Sequence, residues 1–129
     1  MFTVQTKISE KVVEAVIVGA LEGGSNYWYY LSDDAVKTIR DYTPLMKGEP
    51  LSMRFVQALK EGAEIDINDI EDPDEILGTI STKTMGERTE KLINDGYGER
   101  LERVKLEQED AWDADVIFQY WVLNEIVFG

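Results

Sequence analysis

Residues 20–30 read Ala-Leu-Glu-Gly-Gly-Ser-Asn-Tyr-Trp-Tyr-Tyr and join an apolar helical pattern to the densest aromatic run in the chain. We expect Gly23 and Gly24 to close the helix, because glycine takes the left-handed backbone conformation at little steric cost. Glu22 then lies at the negative end of the helix dipole, where a carboxylate is unfavourable by about 0.3–1 kcal/mol. Such an acid beside four consecutive aromatic residues indicates a candidate site. The alternative is an ordinary helix end followed by a core strand, with Glu22 in solvent.

The composition limits the chemistry that the chain can carry. Among its 129 residues there is no cysteine and no histidine, which excludes disulfides, thiolate nucleophiles, a Ser-His triad and zinc held by Cys or His. The longest apolar run, residues 15–21, is too short to span a bilayer, and residues 1–4 lack the basic region of a signal peptide. We therefore expect one domain that is neither secreted nor bound to a membrane.

Negative charge is concentrated in the second half of the chain. Residues 1–60 carry seven Lys/Arg and seven Asp/Glu, whereas residues 61–129 carry six and nineteen, and 6 − 19 gives the whole net charge of −13. Such a field repels nucleic acid and favours basic partners, so direct nucleic-acid binding is not expected, although imitation of DNA stays open. The acidic stretch at residues 64–75 fails the EF-hand pattern, because the sixth position from Asp66 is Glu71 and not glycine. A looser cation site assembled by the fold stays open.

Hydrophobic spacing predicts an α+β fold: a single compact domain, residues 1–129, with four to five helices packed on a small sheet and a buried C-terminal helix. Helices are expected after Ser9, after Ser32, from Leu51 to Gly62, after Ser81–Thr84 and from Trp112 to Phe128, and strands at residues 2–8, 27–31, 64–70 and 76–80. Thr84 and Glu87 have the spacing of a capping box.

The last predicted helix, Trp112–Phe128, is apolar nearly all round, which is typical of a buried helix. Asp115 and Gln119 are four residues apart and so lie next to each other on one face of it. If that face is buried, the carboxylate must be hydrogen-bonded, paired or neutral; the alternative is that this face is the solvent-exposed stripe. A glycosidase-like pair of Glu22 with Asp115 or Glu125 is a further option, which needs the two acids about 5–10 Å apart.

Two passages resemble a family of small phage and prophage proteins. They are ALEGGSNYW at residues 20–28, and DADVIFQY at 113–120 with NEIVFG at 124–129. Members of the family share an A-L-[ED]-G-G-x-x-Y-W segment and a D-A-x-x-A-D-x-I-x-Q-x pattern that runs to E-I-V-[FY]-G. The resemblance implies phage origin and action in the cytoplasm of an infected bacterium, but no particular activity.

The motif positions that core packing alone does not require are the candidate ligand- or partner-binding residues. They are Glu22, Asn26, Tyr27, Trp28, Asp115, Gln119 and Glu125. We expect the two ends of the chain to meet, so that Glu22 and Asp115 share one polar pocket walled by Tyr27 and Trp28. Replacing either acid with alanine should then leave the melting temperature nearly unchanged and remove the effect on the host.

The function expected from these features is that of a non-catalytic phage accessory protein that binds a host protein, for example as an antagonist of host defence. Two alternatives stay open: a small-molecule or nucleotide binder that uses the Glu22, Tyr27 and Trp28 region, and an acidic mimic of DNA. No catalytic residue, cofactor or metal ligand is assigned, and whether the chain is an enzyme or forms a homo-oligomer is left open.

Overall fold

The computed structural model describes residues 8–129, so the strand predicted at residues 2–8 lies outside the described residues except for Ile8. The elements are α1 (Glu10–Gly23), β1 (Tyr29–Tyr30), α2 (Asp33–Tyr42), α3 (Leu51–Lys60), β2 (Ile65–Asp69), β3 (Ile76–Ile80), α4 (Thr82–Leu92), α5 (Gly98–Lys105) and α6 (Ala111–Leu123). The stretch Ile93–Tyr97 connects α4 to α5 and contains a kink at Gly96, whose φ of 98° is not helical. The predicted α+β class is confirmed. Among the described helices, none combines the length and the apolar character needed to cross a bilayer.

Serine side chains begin three of the helices. The Oγ atoms of Ser9, Ser32 and Ser81 accept hydrogen bonds from backbone N–H groups in the first turns of α1, α2 and α4. The caps expected at Ser9 and Ser32 are confirmed. The capping box of α4 is formed by Ser81 and Thr84, not by Thr84 and Glu87, because Ser81 already has the extended backbone conformation that an N-cap requires.

The diglycine corner turns the chain sharply between α1 and the sheet. Gly24 has φ 146°, which favours glycine, and its N–H donates to the carbonyl of Ala20. Gly23 remains the last residue of α1. A 3-10 turn over Ser25–Tyr27 follows, so the strand predicted at residues 27–31 is reduced to the two residues of β1.

The sheet is antiparallel, in the order β1-β2-β3. In β2, Ile65 and Ile67 are buried and Asp66 between them is exposed, as strict alternation predicts. Gly78 of β3 lies against α6: a Cβ atom there would be 2.1 Å from the carbonyl oxygen of Val122, so this close contact requires glycine.

Helix α6 is the centre of the core and packs against α1, α4, α5 and β3. Its residues 113–122 are all buried, which confirms the predicted buried C-terminal helix. Asp115 and Gln119 are 3% and 0% exposed, so the interpretation of their face as a solvent stripe is wrong. The helix is shorter than predicted, because Asn124 takes the left-handed conformation that ends it and residues 124–129 continue without regular structure.

Charged side chains of favourable sign lie at both ends of α6. At its N-terminus, buried Asp113 accepts two hydrogen bonds from Arg103 and one from Arg100, at 2.7–2.9 Å, and chiefly the Arg103 guanidinium lowers the pKa of Asp113. At its C-terminus, Arg88 Nη1 donates to the carbonyls of Trp121 and Val122. An acid at the start and a cation at the end of a helix are both favoured by its dipole.

Candidate functional site

The two passages that suggested a site meet at Asp115. Its Oδ2 accepts hydrogen bonds from the Tyr27 hydroxyl at 2.6 Å and from Gln119 Nε2 at 3.0 Å. Its Oδ1 accepts one from the indole Nε1 of Trp28 at 2.8 Å. The expectation that the diglycine corner lies against the last helix is therefore correct, and the carboxylate is satisfied by three donors.

Gln119 holds the C-terminal residues over this cluster. Its Oε1 accepts from the backbone N–H groups of Val127 and Phe128 at 2.9 and 3.0 Å, and its Nε2 also donates to the carbonyl of Phe128. The Phe128 ring then stacks on Trp28, with a centroid distance of 5.4 Å and an interplanar angle of 12°. One amide side chain thus satisfies the backbone of a segment that has no regular structure of its own.

The cluster is closed to solvent apart from Tyr27. Trp28 is 1% exposed, whereas Tyr27 is 49% exposed and reaches inward with its hydroxyl. Burial, followed by the hydrogen bond and the charge of Asp115, raises the pKa of Tyr27 and keeps its phenol neutral. Since the inner polar groups are satisfied by one another, we interpret the cluster as part of the core and not as a ligand pocket.

Glu22 belongs to a different part of the surface, and the prediction that it shares a pocket with Asp115 is wrong. Its Oε1 accepts a hydrogen bond from the Ser52 hydroxyl of α3 at 2.8 Å. Together with Asn26 it lines an open groove of about 420 Å³. The corner separates the two acids because the last turn of α1 faces α3 and the following turn sends Tyr27 and Trp28 towards α6. A carboxylate pair of Glu22 with the buried Asp115 is therefore not formed.

We call this opening the corner groove. It is lined by Leu21, Glu22, Asn26, Tyr29, Tyr30, Leu31, Leu51, Ser52 and Ile70. Its walls are largely apolar, and Tyr30 and Ile70 are 38% and 40% exposed. Among the lining residues that the structure describes, Glu22 is the one that carries a charge. The sequence did not indicate Ser52, Leu51 or Ile70, since only the fold brings α3 and the end of β2 to the corner.

Glu125 joins neither the cluster nor the groove. It is exposed, just after the left-handed Asn124 that ends α6. Its charge is the weakest of the influences that raise the pKa of Tyr120 to about 12, after burial, the hydrogen bond and charge of Asp95, and Tyr97. We assign no site role to Glu125.

The acidic segment at residues 64–75 does not assemble a metal centre. Among residues 8–129, no group of three or more acidic side chains is placed to hold a metal ion. The described residues therefore do not form the loose metal site that the sequence left open.

Comparisons of the chain with protein-family models, with curated proteins and with solved structures give no match. The resemblance to small phage proteins stays a prediction. Function must therefore be inferred from the corner groove, the charge distribution and the closed cluster.

Proposed function

We propose that this chain is a non-catalytic phage protein that binds a protein of the bacterial host, and that the corner groove is its docking surface. The observation that carries the proposal is the exposure of Tyr30 and Ile70 at an apolar groove whose one charged lining residue is Glu22. Apolar side chains exposed side by side and bordered by a polar group are typical of interaction sites.

The partner that fits this groove presents an apolar side chain next to a basic one. A volume of about 420 Å³ accommodates one or two large side chains. Glu22 is exposed and receives one side-chain hydrogen bond, from Ser52, so its carboxylate retains acceptor capacity for a Lys or Arg. The net charge of −13 adds a long-range attraction for a basic partner.

The nucleotide-binding alternative receives less support from the geometry. Stacking a base requires a free aromatic face, and Trp28 is buried between Phe118 and Phe128. Tyr27 is exposed, but the groove lining contributed by the described part of the chain contains no Lys or Arg that would hold a phosphate. The DNA-mimic alternative depends on charge alone and differs from groove docking in its response to salt.

Affinity capture from the bacterial host tests the proposal. The tagged wild type is compared with the groove variants Tyr30→Ser and Ile70→Ser, and with Leu45→Ser as the matched control, since Leu45 is 97% exposed and lies outside the groove. Partners are identified by mass spectrometry and their affinities measured with purified proteins. We expect a partner that survives about 1 M salt, that binds the groove variants at least about tenfold more weakly, and that binds Leu45→Ser like the wild type.

Two results would contradict groove docking. One is a partner that binds Ile70→Ser and Leu45→Ser equally well but dissociates at high salt, which is the behaviour expected if the protein is a DNA mimic. The other is the absence of a partner together with a co-purified ultraviolet-absorbing molecule, which would favour the small-molecule alternative.

A further inference from the structure

A second concavity lies on the solvent-facing side of β2, and we call it the acidic recess. Glu64, Asp66 and Asn68 alternate along the chain and so project from one face of β2 and its lead-in residue, away from buried Ile65 and Ile67. The start of α2 and the turn between β2 and β3 form its other walls, and its volume is about 280 Å³.

The recess is rich in negative charge. Four of its lining residues are acids, Asp34, Glu64, Asp66 and Asp74, and none of the lining residues found between positions 8 and 129 is Lys or Arg. The ion pairs found among residues 8–129 involve none of these four. Carboxylates gathered in one recess raise the local concentration of cations.

The buried amide of Asn68 supplies an independent sign of a missing partner. Asn68 is 6% exposed, and its Nδ2 donates to the carbonyl of Pro73 at 2.7 Å, which fixes the orientation of the amide. Its Oδ1 then receives no hydrogen bond from any of residues 8–129. A buried acceptor without a donor is unfavourable, because it has lost its hydration and gained no hydrogen bond in return.

We propose that the acidic recess binds an organic cation, the ammonium or guanidinium group of an amine or of a basic side chain. A bare metal ion does not fit, because no three acids among the described residues are close enough to hold one. The volume of about 280 Å³ also far exceeds the roughly 30 Å³ of a single water-sized occupant. An ammonium group offers three N–H donors and a guanidinium group five, which suits a recess whose polar lining consists of carboxylate, hydroxyl and amide acceptors.

This proposal does not rest on the corner groove. The two openings have no lining residue in common, although they adjoin, since Tyr30 of the groove pairs with Asn68 of the recess in the sheet. A free polyamine and a basic side chain of a protein present the same chemistry to the recess, and the test has to separate these two sources.

The test is a titration followed by nuclear magnetic resonance of the ¹⁵N-labelled chain. The probes are spermidine, a short peptide that contains one arginine, and the same peptide with glutamine in its place. We expect saturable shifts of the Asn68 side-chain amide with the first two probes and none with the glutamine peptide. Tighter binding of spermidine identifies a polyamine site, and tighter binding of the arginine peptide identifies a site for a protein side chain.

Two charge-matched variants separate the recess from the general negative field. Asp66→Asn removes one charge inside the recess, and Glu90→Gln removes one from exposed α4, outside it. We expect at least about tenfold weaker cation binding for Asp66→Asn and wild-type binding for Glu90→Gln and for the groove variant Ile70→Ser.

Three results would overturn the proposal: no saturable shift, equal weakening by Asp66→Asn and Glu90→Gln, or displacement of the organic probes by Ca²⁺ or Mg²⁺ alone at lower concentration. Wild-type cation binding by Ile70→Ser, combined with loss of its protein partner, would separate the two proposals from each other.

Discussion

The closed cluster around Asp115 and the corner groove around Glu22 come from the same two sequence passages, but they have opposite environments. Asp115 is 3% exposed and accepts three side-chain hydrogen bonds. Glu22 is exposed and accepts one, from Ser52. A polar residue of a distinctive motif can therefore either stabilise the core or bind a partner, and the burial of its side chain distinguishes the two roles.

The difference follows from the elements that carry the two acids. Helix α6 is surrounded by other elements, so a polar side chain on it has to find its partners inside the core. The last turn of α1 lies at the surface, beside α3, and its carboxylate can be hydrated. We therefore expect substitutions in the cluster to affect the free energy of unfolding and those in the groove to affect binding.

The largest effect is expected for Asp115→Ala. The change leaves the Trp28 indole N–H without its acceptor and removes one acceptor of Gln119 Nε2, so we expect a loss of about 2–5 kcal/mol in the free energy of unfolding, measured by urea denaturation. This replaces the expectation from sequence that the variant folds with an unchanged melting temperature. Glu90→Ala, at an exposed position, is the control. Equal stability of the two variants would show that Asp115 is not held in the core.

Gln119→Ala should release the C-terminal residues. The variant loses the acceptor of the Val127 and Phe128 N–H groups, so Phe128 is expected to leave Trp28 and expose it to water. We expect a loss of about 1–3 kcal/mol and a red shift of tryptophan fluorescence. Gln57→Ala serves as the control, because the bond from Gln57 to Glu61 is exposed. An unshifted emission maximum would contradict the role given to Gln119.

Asp113→Asn should destabilise the protein at neutral pH and much less in acid. Arg103 lowers the pKa of Asp113 in the folded state. The ionised carboxylate therefore stabilises the fold at a pH above its pKa in the unfolded chain, and this contribution is lost as the pH falls through its lower pKa in the folded state. The gap in unfolding free energy between wild type and variant should be about 1–3 kcal/mol at neutral pH and close below about pH 4. Urea denaturation across this range measures it. A gap that does not depend on pH would show that the charge of Asp113 is not the source of its effect.

Glu22→Gln is expected to have the smallest effect on stability. Glutamine keeps the Oε1 acceptor for Ser52 and removes a charge from the unfavourable end of α1, so the unfolding free energy should change by no more than about 0.5 kcal/mol. The affinity for a basic partner should nevertheless fall about tenfold, which titration of the captured partner would measure. Strong destabilisation by this variant would show that Glu22 stabilises the fold and would contradict its assignment to the binding surface.

Much of the fold could be predicted because local rules determine it. Ser9 and Ser32 begin helices through their own side chains, and Ile65 and Ile67 alternate with polar residues in a half-exposed strand. The apolar character of α6 on every side predicted its burial. These features need no knowledge of distant contacts.

The remaining features depend on residues that are far apart in the sequence. The aromatic residues 27–30 favour a strand, but the 3-10 turn and the hydrogen bond from Tyr27 to Asp115 leave two residues for β1. Nor does the sequence indicate that Ser52 lies beside Glu22 or that Asn68 faces the same recess as Asp34. The sequence correctly predicted that the two motifs meet, but it did not predict which of their side chains are buried.

The exchange rates of the tryptophan indole protons test most directly that the Asp115 cluster is closed. The chain has three tryptophans, two of which donate inside the core: Trp28 to Asp115 and Trp121 to Thr89. Trp112 is 37% exposed and is the internal reference, assigned with the variant Trp112→Phe. We predict that the indole proton of Trp28 exchanges with deuterium as slowly as that of Trp121 and far more slowly than that of Trp112. Exchange of Trp28 at the rate of Trp112 would contradict the division of the motif residues into a sealed core and an open groove.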